Sequence, residues 1–381
     1  MPLIIAAAAL LLFSGLFLFL YFYNDTLRFH HMTEEFFAEA FRQDSLSLHY
    51  TLAEPSDYLQ KPSPATLPLY SRQSRQEAAA ALENQLLILQ EINPERLNQQ
   101  DRYTWSLLVP YLENELAGAR CEYYEEPLTP SSGMQSQLPV LLAEYSFRTK
   151  EDLEDYLEIL ESVPAYLESL AQYEKEKANA GLFMTESDAS NIVKQCDTIM
   201  DPDLLSAGEH FLQTTFQERA EALVQEGLLT GEEMELYIAE NNRILTTLVA
   251  PAYIALADAV FLLSGSGTHE GGLCELPSGG AYYLYLLRHN TGTSRTPEEI
   301  QVLLSDRFQL CYQNLQALVE TYREQTGNTS ISLQDIPAFP FQDAQEVLAD
   351  LQQRIQTDFP PLDALTLSLI HISEPTRRVV I

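Results

Sequence analysis

The 381-residue chain is 46% hydrophobic and 20% charged, and its 55 acidic against 22 basic residues leave a formal net charge of −33. That apolar content suffices for one large packed core or two smaller ones. So negative a chain repels phosphate backbones, which excludes nucleic acid as a partner.

Leu3–Tyr23 runs for 21 residues without a charge. At about 1.5 Å per residue a helix of this length spans roughly 30 Å, the thickness of a bilayer's hydrocarbon. Tyr21 and Tyr23 stand at its far edge, where interfacial aromatics are favoured. No basic leader precedes the run and no small-x-small cleavage site or cysteine comes after it, so an uncleaved single-pass anchor within residues 1–24 is expected rather than a signal peptide or a lipid anchor. Only Arg28 lies close by; the position of the anchor and the acidity of the remaining chain place the body outside the cell.

Thr33–Arg42 predicts a short amphipathic helix capped by Thr33, and residues 43–70, with Pro55, Pro62, Pro64 and Pro68, predict an extended, docked segment. Ala78–Ile92 predicts a helix with Leu82, Leu86 and Leu89 on one face, closed by Asn93-Pro94. Asn98 is placed to cap the next helix, reaching about Glu122 and burying Tyr103, Leu107, Leu108, Tyr111 and Leu112. Pro127, Pro130 and Gly133 predict a structured loop, followed by the apolar run Leu138–Tyr145. From Thr149 a long helix follows the 3.6 period through Leu153, Tyr156, Leu157, Leu160, Val163, Leu167 and Leu170, with a kink at Pro164 and a stop at Gly181. Thr230 with Glu233 reads as a capping box opening a helix to about Leu263, bent at Pro251. Thr296, Pro297 and Glu299 open another, running to about Gln325. No convincing alternating strand occurs, so the fold class is all-α, with long kinked amphipathic helices.

Candidate chemistry centres on residues 265–293. His269-Glu270 opens like a zinc-metallopeptidase motif, but H-E-x-x-H needs a second His four residues on, where Leu273 stands, and Gly271-Gly272 break the helix. No metal ligand and no catalytic residue is therefore assigned. Cys121, Cys196, Cys274 and Cys311 form no CxxC pair; they are either free thiols or, outside the cell, members of one or two disulfides. Tyr282, Tyr283 and Tyr285 remain, either as core rings or as the aromatic wall of a cleft binding a peptide substrate.

Four segments resemble one bacterial family in order: residues 126–147 (EPLTPSSGMQSQLPVLLAEYSF), 174–184 (EKEKANAGLFM), 271–300 (GGLCELPSGGAYYLYLLRHNTGTSRTPEEI) and 359–366 (FPPLDALT). The family is the one catalogued as domain of unknown function 885, and the likeness covers about residues 30–366. The resemblance implies a helical, zincin-like metallopeptidase in which H-E-x-x-P-G-H lies in the C-terminal part, so zinc is expected for a full-length member. This chain lacks that motif, and no family ligand or catalytic Glu can be carried onto it. Residues 367–377 (LSLIHISEPTR) resemble the translation of a sequencing-library adapter, so 367–381 is expected to be artefact and 25–366 the truncated, inactive N-terminal part of the family domain. The rival expectation is a non-enzymatic, membrane-anchored helical domain that binds or scaffolds a peptide.

Overall fold

The computed structural model describes residues 14–15, 24–42, 44–52, 55, 64–268, 271–327, 341 and 343–358. The expected anchor at 3–23, the His269-Glu270 pair and the tail at 367–381 lie outside the described residues, apart from Ser14 and Gly15. Every regular element among the described residues is helical, so the chain is all-α. The chain divides into two compact units at Pro297.

The first unit opens with α1 (Asp25–Phe41), capped by Asn24, whose side chain accepts from the Leu27 N–H. Thr33, expected as the cap, lies inside α1 and spends its hydroxyl on the His30 carbonyl. A short α2 (Ser45–Thr51) interrupts the segment expected to be extended. Residues 65–70 are extended and docked: the N–H groups of Ala65, Leu67 and Tyr70 donate to Glu158, Ser162 and Ser169 at 2.7, 3.2 and 2.9 Å. A strand-like segment thus satisfies its backbone on the side chains of one helix.

That helix is α6 (Lys150–Asn179), the centre of the larger core. Before it come α3 (Arg72–Glu91), α4 (Gln99–Ala119, capped by Asn98) and α5 (Met134–Glu144). After it come α7 (Glu186–Ile199), α8 (Pro202–Ala207), α9 (Phe211–Gln225) and α10 (Gly231–Ile244). A π-helical turn at Leu245–Val249 leads from α10 into α11 (Ala250–Leu263). Pro251 has no N–H to give and would crowd the carbonyl of Thr247; the wider turn just before it absorbs that conflict without ending the helix. Gly231–Leu263 is long and apolar enough to cross a membrane by length and composition. Here it packs on α6 and α7, with Tyr253, Leu256 and Val260 buried in the core.

A second, smaller core joins α1, α3 and α4 through Phe29, Met32, Leu86, Leu89 and Leu112. Contrary to expectation, Tyr103, Leu107 and Tyr111 are exposed. They share one line of α4 at four-residue steps, while Trp105, Leu108, Leu112 and Leu116 form the line that meets this core. The first unit ends with α12 (Gly279–Thr291), packed on α4. The second carries α13 (Pro297–Thr326, from Glu298 on) and α14 (Ala344–Asp358). Val302, Leu304, Phe308 and Leu318 of α13 are exposed.

Candidate functional site

The site forms where α4, α6 and α12 meet the loop of residues 121–130. Gly118 makes the helix approach possible: a Cβ there would stand 2.6 Å from the ring of Tyr285. The Asn114 amide donates to the Tyr285 carbonyl at 3.3 Å, and the N–H of Ser278, just before α12, donates to the Tyr124 hydroxyl at 2.8 Å. Tyr282, Tyr285 and His289 then follow the helical period and share one face of α12. Tyr283, one position off that face, is exposed and lines neither of the two cavities below.

Two cavities share this face. One, of about 640 Å³, is lined by Glu125, Glu126, Asp188, His289 and apolar side chains including Phe183 and Met184. The other, of about 410 Å³, is lined by Arg72, Arg75, Arg120, Glu115, Tyr123 and Tyr173 among others. Glu125, Tyr282 and Tyr285 line both, so they stand at the junction. Burial and the nearby Glu125 push the Tyr282 hydroxyl well above the ordinary phenol range; burial and Glu115 do the same to Tyr285. Both therefore keep their protons at any physiological pH.

Helix α6 holds the loop from behind. The Glu125 carbonyl accepts from the Tyr173 hydroxyl at 3.1 Å and from Lys177 Nζ at 3.2 Å. Lys177 Nζ also donates to Glu126 Oε2 at 2.6 Å and lies 3.7 Å from Glu174 Oε2. Lys177 and Glu174 are both 0% exposed. Neither carboxylate oxygen of Glu174 has a hydrogen-bond partner, and desolvation, only partly offset by Lys177, lifts its pKa to about 7. Tyr123, two residues before Glu125, is held at φ 69°, a costly conformation for a non-glycine residue.

On the far side of Tyr285, Glu115 accepts from its hydroxyl at 3.4 Å and pairs with His289 Nδ1 at 2.8 Å. A carboxylate oxygen can only accept, so Nδ1 is the donor of this pair. A larger recess of about 700 Å³ lies between α6 and the end of α11. On its rim Arg72 pairs with Glu122 at 3.3 Å and Gln172 donates to Glu176 at 3.0 Å.

Among the described residues no three His, Cys, Asp or Glu side chains converge in a metal-binding arrangement. The zinc that the family resemblance implies therefore has no ligand set there, and no chemical step is derived through it. The four cysteines are unpaired, and only Cys196 is buried. Glu115 and His289 are 174 residues apart, with no local signal linking them. Glu174 and Lys177 did carry a signal, because Val163, Leu167, Leu170, Glu174 and Lys177 continue one stripe of the same helical face.

The family model described as "Bacterial protein of unknown function (DUF885)" matches residues 58–379. The chain belongs to this family. A solved structure described as "The crystal structure of the putative lipoprotein from Colwellia psychrerythraea" superposes with a TM-score of 0.71 at 15% identity, covering 87% of this chain. The match spans 58% of the Colwellia chain, under two thirds of its length, and at that identity it speaks for the fold alone. No curated protein matches this family member.

Proposed function

We propose that residues 25–297 form the peptide-binding part of a membrane-tethered, zincin-like peptidase-family protein. The observation that carries this reading is the junction of two cavities walled by Tyr282 and Tyr285, with Glu125 between them. Aromatic faces with polar tips suit a peptide, whose side chains enter apolar recesses while its backbone meets hydroxyls. Isothermal titration of the purified chain with a mixed set of unstructured peptides tests it. Micromolar binding is expected, weakened about tenfold by Tyr285→Ala and less than twofold by Tyr283→Ala, since Tyr283 stands off the cavity face. No binding by any peptide overturns the reading.

Hydrolysis belongs, on this proposal, to a longer gene product bearing the H-E-x-x-P-G-H helix, and this chain alone does not cleave peptides. The family resemblance, set against a sequence without H-E-x-x-P-G-H, supports that division. Sequencing the reading frame past Thr366 tests it: no H-E-x-x-H within the next few hundred codons sinks the zinc-peptidase reading and leaves a non-enzymatic peptide-binding domain. Tethering through residues 3–23, with the body outside the cell, rests on the uncharged run there. The description of the Colwellia protein as a lipoprotein is in keeping with a membrane location. Resistance to carbonate extraction, with the body digested by protease added to intact cells, is the expected result; release into the soluble fraction overturns it.

A further inference from the structure

Tyr23, the last residue of the uncharged run, is followed directly by Asn24, the N-cap of α1, so no linker separates that run from the body. The start of α1 is in turn tied to the turn between α3 and α4. Arg28 pairs with Glu91 at 2.6 Å, Asp25 with Arg96 at 3.3 Å, and His30 with Asp101, in the first turn of α4, at 2.9 Å. Where residues 3–23 cross a bilayer, the beginning of α4 is therefore held at its surface. From there α4 presents the face that its packing on α1, α3 and α12 leaves open: Gln100, Tyr103, Ser106, Leu107, Pro110 and Tyr111. In a chain of net charge −33, residues 103–112 carry no charge, and Arg102 and Glu113 stand at one edge of the face. The Ser106 hydroxyl donates to the Tyr103 carbonyl at 2.6 Å, which leaves the phenol tips as the main polar groups between Gln100 and Glu113.

We propose that this face of α4 rests on the lipid bilayer that holds the anchor, with Tyr103, Leu107 and Tyr111 at the level of the headgroups. Tyrosine, with its ring towards the acyl chains and its hydroxyl towards water, is favoured at that depth, and an amphipathic helix lies in the interface with its apolar side down. Pro110 brings no N–H to the Ser106 carbonyl, which keeps the face at headgroup level, where water still reaches that oxygen. A second copy of the chain is the poorer occupant. Tyr103, Leu107 and Tyr111 are 61%, 53% and 47% exposed. Together they offer on the order of 300 Å², against the ~800 Å² per partner that a stable protein–protein interface buries. A membrane needs less, because the anchor already holds the face beside it. The contact is neutral, so the acidity of the rest of the chain is kept away from the lipid surface. The inference rests on the anchoring proposed above for residues 3–23 and is independent of the peptide-binding reading.

The test uses the full chain reconstituted into phosphatidylcholine vesicles whose acyl chains carry bromine just below the headgroup, a contact quencher of indole fluorescence. The chain has one tryptophan, Trp105, packed against the second core, and the parent supplies its baseline. Tyr103→Trp and Leu107→Trp place a new indole on the face; Leu236→Trp places one on α10, where Leu236 is 72% exposed. All three positions are exposed, so the fold is retained, as circular dichroism checks. Each indole on the face is expected to lose at least twice the fraction of its emission that Leu236→Trp loses. Adding Leu107→Glu to Tyr103→Trp is expected to bring its quenching down to the Leu236→Trp level. Flotation with the vesicles is read first. A chain that does not float overturns the anchoring and this proposal together. A chain that floats, with the face indoles quenched no more than Leu236→Trp, overturns the proposal and leaves the anchoring standing. Blue-shifted but unquenched emission from the face, with a doubled mass by light scattering in detergent, gives the face to a second copy and also overturns the proposal.

Discussion

Helix α6 buries a carboxylate near each end, and the two are treated in opposite ways. Asp152, in the first turn, accepts from the N–H groups of Arg148 and Thr149 at 2.9 Å each and from the Thr149 hydroxyl at 3.2 Å. It also sits at the positive end of the helix dipole. Glu174, towards the negative end, accepts no hydrogen bond and has only Lys177 at 3.7 Å. The first arrangement lets a buried charge hold a helix start; the second leaves one at a cost in stability. The costly one lies behind the Glu125 loop that the proposed peptide site uses, and a fold that gives up stability there fits that proposal.

The sharpest way to test the contrast is to remove the cation. Lys177→Met leaves Glu174 and Glu126 without their partner and releases the Glu125 carbonyl. A loss of about 3–5 kcal/mol is expected at pH 8, typical of breaking a buried pair by one partner. Adding Glu174→Leu should recover part of it, because an apolar pair of similar volume tolerates burial. Urea denaturation of the single and double variants measures both. A single variant as stable as the parent would mean that Lys177 does not hold the loop.

Glu174→Gln comes next. The folded-state pKa is raised from the ordinary 4.5 to about 7, so between those values the folded chain holds more protons than the unfolded one. Stability from this group is present in full below the ordinary value and is lost as pH rises through about 7. Glutamine cannot ionise, so the variant should match the parent near pH 4 and exceed it at pH 8 by on the order of 3 kcal/mol, at about 1.4 kcal/mol per pH unit. Melting curves across pH 4–8 read this as a flattened profile. Parallel profiles for parent and variant would refute the assignment.

These two residues also mark what could and could not be read in the sequence. The helix start at Thr149 and the capping box at Thr230 form as expected, because a cap needs only side chains a few positions apart. On α4 the expected buried face held for Leu108 and Leu112 and failed for Tyr103, Leu107 and Tyr111: two apolar lines run along the helix, and tertiary contacts with α1 and α3 select the one through Trp105 and Leu112. Of the aromatic trio, Tyr282 and Tyr285 are brought together and Tyr283 is not, which helical spacing alone implies once α12 is fixed. His289 lies 174 residues from Glu115, so only folding brings it to the helix end and loop that carry Glu115 and Glu125. The run Glu174–Lys177 reads locally as a solvated surface; only its register with Leu167 and Leu170 turns its first and last members inward.

A smaller effect is expected from Gly118→Ala. The added methyl meets the ring of Tyr285, which must swing or push α12 away. A cost of about 1–3 kcal/mol is typical of overpacking, with weaker peptide binding because Tyr285 walls both cavities. Unchanged binding and stability would show that α4 and α12 are not held at this spacing.

Thr149→Ala should have the smallest effect, and it probes the end of α6 farthest from the cavities. The alanine removes the hydroxyl that accepts from the Asp152 N–H at 3.2 Å, so one backbone donor loses its partner. Asp152 itself keeps the Arg148 and Thr149 backbone N–H groups, and its charge stays solvated by the same two donors. The expected cost is about 1 kcal/mol, the usual value of a lost N-cap. Because the Glu125 loop hangs on Tyr173 and Lys177 at the other end, peptide binding should not change. A change in that binding would mean that the N-terminal cap sets the position of Lys177 over the length of the helix. The two ends would then have to be treated as one coupled unit, and the division between a stabilising end and a binding end would fail.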